Sequence, residues 1–409
     1  MRADVANDDL SGVRRISPVT RPRILVSHPY LSSRGGGNVV AAWALQALRE
    51  EFDLSLATLK PLDYPAINAS FGTSIGPGDV KLRIAPRRYR IALGCFPTPG
   101  ALMEACMMMR WTQELDRQEP FDIILSTQNE ADFHRRGIQY VHYPWYYLPR
   151  PEIELRWYHR IPGALALYRA NCARLAHCTY EGMRRNLSLA NSSFVADRIK
   201  QVHRSDAVIL YPPVPGNFPQ VPWHQRIPAV VAIGRMNGCK RWEHTVEIVE
   251  QVRNRGVELG LTLISHRDDP EYGRRIAALA ASRPWFRILS DLSREELAAE
   301  VARHRYGLHT MEDEHFGIAV AELLRAGCIA FVHNSGGPPE IVGHRAELTF
   351  NNPREAADKI AATVLDPARE ECLRGFTHAR RDEFSTERFC TGLKDIVRNF
   401  PVCSDTRSC

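Results

Sequence analysis

On either side of a proline-rich stretch, PPVPGNFPQVPWHQRIP at residues 212–228, the chain runs through the same alternation of short β-rich segments and helical segments. Before it, RILVSH (23–28), DLSLATL, FDIILST and IQYVHY read as strands, with a loop SSRGGGN and a helix over 39–51 after the first. Behind it come AVVAIGR, a helix over 242–255, LGLTLISH, a helix over 272–282 and a strand ahead of Glu314. Strands alternating with helices form parallel sheets covered on both faces. At 409 residues the chain exceeds one compact core and fits two α/β domains of Rossmann-like type, with the proline-rich stretch as linker. The expected domains are 22–212 and 213–384, facing each other so that a ligand cleft lies at the carboxyl ends of both sheets.

Composition narrows the function classes. The chain is 44% hydrophobic and 24% charged, as ordinary globular enzymes are. A net charge of +6 without a dense Lys/Arg run speaks for solubility and against a nucleic-acid partner. Ten cysteines at uneven spacings, with no C-x-x-C pair, indicate neither a zinc site nor a disulfide framework. Reduced thiols in a cytoplasmic protein are the simplest account. The charged start, MRADVANDDLSGVRRISPVTRPR, has no apolar core and does not read as a signal peptide. Residues 1–21 and 401–409 read as tails, and no window approaches the roughly 18 apolar residues that span a bilayer.

The densest chemistry lies at residues 306–341, YGLHTMEDEHFGIAVAELLRAGCIAFVHNSGGPPEI. Residues 310–314 read as a loop and 316–326 as a helix stopped by Gly327. Glu314 then precedes the helix and Glu322 sits on its second turn. The free N–H groups at His315, Phe316, Gly317 and Ile318 fall between the two acids. A helix start attracts phosphate and a carboxylate accepts bonds from sugar hydroxyls, so this element suits a diphosphate flanked by a sugar and a ribose. The plain alternative is a solvated Glu at a helix start and another on its polar face. Gly35, Gly36 and Gly37 follow the first strand; without Cβ atoms they either admit a ligand to the backbone or make a flexible turn. They do not form G-x-G-x-x-G. Arg235 and Lys240, with Arg241 as substitute, follow a strand and suit the charge that grows on a departing diphosphate, or are surface cations. His142 ends IQYVHY and is either a packed core histidine or a site residue. Residues 87–111, with Leu102, Met103 and Met107–Met109, together with the aromatic run over 140–149, read as core, with a lipid-facing rim as the alternative. Glu312 and Glu314 in MEDEH are the one candidate for a metal-binding acidic pair.

The Glu-x7-Glu pattern in EHFGIAVAE, followed by AG and NSGGP, resembles the retaining glycosyltransferases of the GT-B fold, family 4. The likeness is nearest to the eukaryotic α-1,2-mannosyltransferases that extend lipid-linked oligosaccharides. It recurs in order in HPYLSSRGGGNVV (28–40), YVHYP (140–144), NSSFVADRI (191–199), ILYPPV (209–214) and HTMEDEHFGIAVAE (309–322), covering about residues 22–345. The resemblance implies a GT-B architecture and a last helix over 385–400 that crosses back to the first domain. It implies a hexose, mannose first, moved from a nucleotide-diphosphate sugar to a hydroxyl of a glycan, lipid-linked or small-molecule acceptor, with retention and without a metal or other cofactor. Arg235 and Lys240 match the family's diphosphate clamp, His142 its histidine facing the donor sugar, and Gly36 and Gly37 its loop over the donor. Glu322 would hold the ribose and Glu314 the sugar. The relatives' membrane anchor is not expected here, and peripheral contact with the inner membrane face is a further expectation. A nucleotide-sugar epimerase of similar fold and a silent sugar-nucleotide-binding subunit are the alternative functions.

Overall fold

The computed structural model describes residues 21–32, 35–94, 101–147, 161–266 and 268–401. The two tails expected from the sequence lie outside the described residues except for Arg21 and Pro401, as do Leu148 and Pro149 of the aromatic run.

Thirteen strands build two sheets among these residues. The first comprises β1 (Arg23–Ser27), β2 (Asp53–Thr58), β3 (Lys81–Ile84), β4 (Ile123–Ser126), β5 (Ile138–Val141), β6 (Leu187–Ala190) and β7 (Val208–Ile209). Its order is β3-β2-β1-β4-β5-β6-β7, every pairing parallel. The second comprises β8 (Ile227–Arg235), β9 (Gly260–His266), β10 (Phe286–Ser290), β11 (His304–His309), β12 (Ile329–His333) and β13 (Thr349–Phe350). Its order, β10-β9-β8-β11-β12-β13, is again wholly parallel. These are the two Rossmann-like halves expected. In each the order reverses beside the first strand, at β1/β4 and at β8/β11. In doubly wound sheets the crevice for a ligand opens outside such a switch point.

Alternation along β1 shows why the sheet is buried on both sides. Ile24 and Val26 join one apolar cluster with Leu45, Leu54 and Ile123, while Leu25 joins the opposite one with Cys106, Met108 and Ile124. The methionines of the helix Ala101–Gln118 and Leu102 are therefore core on the second face. In the second domain one cluster runs from Val230 and Trp242 to Phe331 and Phe384. The seven cysteines among the described residues are free, and no described helix is long and apolar enough to cross a membrane.

Two helix starts differ from the sequence reading. The helix expected over 39–51 is Gly36–Leu48, because Gly35 takes φ 96° as its cap and Gly36 and Gly37 form the first turn rather than a loop. The helix expected over 316–326 begins later, at Ile318, because Gly317 adopts φ 101°. It ends at Arg325, with Gly327 at φ 83° turning the chain into β12.

The last helix, Thr386–Arg398, caps itself with Ser385 and lays Phe389, Leu393 and Val397 into the cluster around Leu45 and Leu210 of the first domain. Burial of each such side chain contributes about 1.5–3 kcal/mol. Where the chain passes between domains, the Val214 N–H donates to the Phe384 carbonyl at 3.1 Å.

Candidate active site

The second sheet presents its switch point through two loops. The turn Gly238–Lys240 follows β8, and Thr310, just past β11, holds it by donating to the Lys240 carbonyl at 2.9 Å. Gly234 gives the Lys240 stem its course: a Cβ there would lie 3.1 Å from both Cδ and Cε. The ammonium donates to Glu314 Oε2 at 2.5 Å and touches Met311 Sδ at 3.4 Å. Burial by itself would raise the Glu314 carboxyl, but the Lys240 charge and its hydrogen bond outweigh it and hold the group at about 2. His309, at the end of β11, is depressed to about 3 by burial first and then by Lys240, so its imidazole is neutral.

The loop carrying Glu314 is fixed by backbone contact with NSGGP. A Cβ on Gly336, which has φ 74°, would stand 2.3 Å from the Glu314 carbonyl oxygen, and one on Gly337 would stand 2.6 Å from that of His315. The Gly337 N–H donates to the Glu314 carbonyl at 2.8 Å and the Asp313 N–H to Ser335 Oγ at 2.8 Å. Only glycine permits backbones so close. Glu322, buried on the next helix, accepts from Arg294 Nη1 at 2.5 Å, and Arg294 also donates to the Pro215 carbonyl.

The first domain meets this loop directly. The Tyr143 ring stacks on His315 with centroids 4.1 Å apart, and Ser192 Oγ donates to the His315 carbonyl at 2.7 Å. Glu340 accepts from Ser193 N–H and Oγ at 2.8 and 2.7 Å and from Tyr211 Oη at 2.6 Å. A Cβ on Gly36 would lie 2.9 Å from Ile318 Cδ1, so the starts of the helices Gly36–Leu48 and Ile318–Arg325 face each other. Gly37 would bring a Cβ within 3.4 Å of His142 Nε2. His142 donates from Nε2 to the Thr127 carbonyl at 3.1 Å, which leaves Nδ1 as its acceptor. Burial lowers its pKa to about 4. Beside it, at the β1/β4 switch point, a cavity of about 370 Å³ is lined by His28, Tyr30, Asn38, Gln128 and Asn129 among others.

Lys240, Glu314, His315, Phe316, Gly317, Ile318, Gly36, Gly37 and His142 are thus brought to one region where the domains touch. Arg235 stands apart: its side chain is 69% exposed, with Nη1 3.7 Å from Asp268 Oδ2. Arg241 pairs instead with Glu312, which His333 also approaches at 3.5 Å. Among the described residues no group of three or more His, Cys, Asp or Glu side chains is arranged to hold a metal ion. Sequence reasoning missed Arg294, Glu340, His28 and His309. Two of these carried a local signal: His28 ends RILVSH and opens HPYLSSRGGGNVV, and His309 opens the HTMEDEH loop at a strand end.

Comparison with known proteins agrees with the fold. Residues 217–377 match the family model described as glycosyl transferases group 1. A mouse protein named GDP-Man:Man(3)GlcNAc(2)-PP-Dol alpha-1,2-mannosyltransferase is 28% identical over 230 residues, covering 50% of this chain and 46% of the relative. The Caenorhabditis elegans protein of the same name is 21% identical over 374 residues, 80% of this chain and 78% of its own. The chain's match spans about half the length of the mouse and human relatives. Among solved structures, WaaG, a glycosyltransferase involved in lipopolysaccharide biosynthesis, superposes with a TM-score of 0.65 at 13% identity, covering 92% of this chain and all of WaaG. Anabaena Alr3699/HepE in complex with UDP and glucose gives 0.64 at 13% identity over 93% of this chain and all of that one. The fold is therefore GT-B, and residues 217–377 of its second half match the model of glycosyl transferases group 1.

Proposed function

We propose that the chain is a retaining, metal-independent glycosyltransferase of family 4 that moves a hexose from a nucleotide-diphosphate sugar to a hydroxyl acceptor. The observation that carries this reading is the Lys240–Glu314 pair at the β8/β11 switch point, beside two helix starts that converge through Gly36 and Ile318. Helix starts and an ammonium supply positive charge to a departing diphosphate, the part that a divalent ion plays elsewhere. Arg235, exposed on the rim, completes the clamp by turning inward from Asp268 when the diphosphate arrives. Glu322, oriented by Arg294, takes the ribose hydroxyls. Glu314 lies beside the donor sugar, where it holds hydroxyls and favours positive charge on the ring. His142 Nδ1, an acceptor held by the Thr127 bond, receives a sugar hydroxyl from the opposite domain.

The mannosyl relatives support GDP-mannose as first donor, and the UDP-bound structural neighbour supports UDP-hexoses as second. The acceptor enters from the first domain, by way of the cavity beside His28, and is a glycan, lipid-linked or small hydroxyl compound. The free thiols support a cytoplasmic setting, with peripheral membrane contact for a lipid-linked acceptor. The test is nucleoside diphosphate release from a panel of GDP- and UDP-sugars, run with and without EDTA, followed by the NMR coupling constant of the new anomeric proton. An α-linked product from an α-linked donor, formed in EDTA, is expected. A β-linked product would sink the mechanism, and activity lost to EDTA and restored by Mg²⁺ would sink metal independence.

A further inference from the structure

His309 is a buried histidine whose Nε2 has no hydrogen-bond partner, although it lies 3.7 Å from Glu314 Oε2. A buried ring nitrogen left unpaired is costly and calls for a reason. The geometry supplies one. Glu314 Oε2 is taken by the Lys240 ammonium at 2.5 Å, so the imidazole waits one step further out. The remaining ionisable groups around it are His333 on β12 and, beside Glu314, His315.

Resting on the transferase reading, we propose that His309 is a positioning residue that receives the Glu314 carboxylate when Lys240 leaves it for the donor diphosphate. Lys240 has two tasks that conflict: it neutralises the buried Glu314, and on the transferase reading it is a cation that meets the diphosphate. If the ammonium turned away with nothing in its place, Glu314 would be an unpaired, largely buried anion facing the sugar. A closure of about 0.8 Å brings His309 Nε2–H to the ordinary hydrogen-bond distance of about 2.9 Å. The carboxylate then stays ionised and stays aimed, while the lysine is free. The unpaired Nε2 of His309 thereby gains its partner in the donor complex.

His309→Phe keeps the ring and removes the donor, whereas His309→Gln restores an N–H near the Nε2 position. With GDP-mannose or UDP-glucose, whichever the wild-type chain uses, His309→Phe is expected to lower kcat by 10-fold or more. The donor KM should rise as well, because Lys240 can then meet the diphosphate only by leaving Glu314 without a partner. The acid limb of the kcat profile should move to higher pH as Glu314 loses its second partner, and His309→Gln should recover most of the rate. Equal kcat and pH profile in His309→Phe and wild type overturns the hand-over alone. So does an equal loss in His309→Phe and His309→Gln when both melt as the wild type does. Failure of the wild-type chain to release nucleoside diphosphate from any sugar overturns the transferase reading and the hand-over with it.

Discussion

Replacing Lys240 by Met keeps most of the stem that packs beside Gly234 and removes only the charge, so the consequence is confined to Glu314. Moving a carboxyl from its ordinary 4.5 down to about 2 represents roughly 3 kcal/mol of preference for the ionised form at neutral pH. Burial works against that preference, and the Lys240 charge is the largest influence in its favour. With Lys240 gone the acid is left in a low-dielectric site, a change that typically costs about 3–5 kcal/mol. In a domain of this size that is a fall in Tm of roughly 6–20 °C. The sign with pH follows from the depressed value. The stabilisation is fully present above 4.5 and is lost as pH falls from there through about 2, so mutant and wild type should converge in acid. Thermal melts followed by circular dichroism, at neutral pH and around pH 3, read both effects. The double variant Lys240→Met/Glu314→Gln removes both charges and should regain most of the lost stability. A wild-type Tm in Lys240→Met at neutral pH, or a double variant no better than the single, would refute the reasoning.

Glu322→Gln should weaken GDP or UDP binding by ~1–3 kcal/mol through lost charge-assisted bonds to the ribose, as calorimetry would show; unchanged affinity and turnover would remove the residue from the site. Gly36→Ala places a methyl 2.9 Å from Ile318 Cδ1, so it should raise the donor KM several-fold while leaving the melting temperature near the wild-type value. Ile318→Val deletes that terminal carbon and should reverse the effect in the double variant; a KM unmoved by Gly36→Ala would show that the helix starts do not meet around the donor.

How much of this was legible beforehand depends on the range of the signal. The alternation of RILVSH, DLSLATL and AVVAIGR with helical segments carries its own period, so the sheets could be read locally. The two-residue strand Val208–Ile209 could not, because its pairing with Leu189 and Ala190 supplies the definition that its composition lacks. Glu314 and Glu322 announced themselves by spacing around a helix start. Arg294 did not: its partner lies 28 residues away, and nothing in SREEL marks that arginine from its neighbours. Glu340 is similar, since Ser193 and Tyr211 meet it only once the domains are assembled. Gly35–Gly37 were readable as a place without side chains. That two of them begin a helix follows from the φ of 96° at Gly35, a matter of backbone angle rather than residue type.

The double passage of the chain between the domains has a mechanical consequence. One strand of backbone leaves the first domain near Tyr211 and another returns at Ser385, and the Val214–Phe384 bond ties the two crossings side by side. A pair of adjacent tethers resists sliding and twisting but permits bending about the line that joins them. Bending about that line is thus the relative motion of the two halves that the paired crossings oppose least. On such a body, a dye pair across the outer rims follows the whole excursion as one distance. Bending about that line changes the distance from His142 to the Lys240–Glu314 pair and leaves the pair itself, carried wholly by the second domain, unchanged.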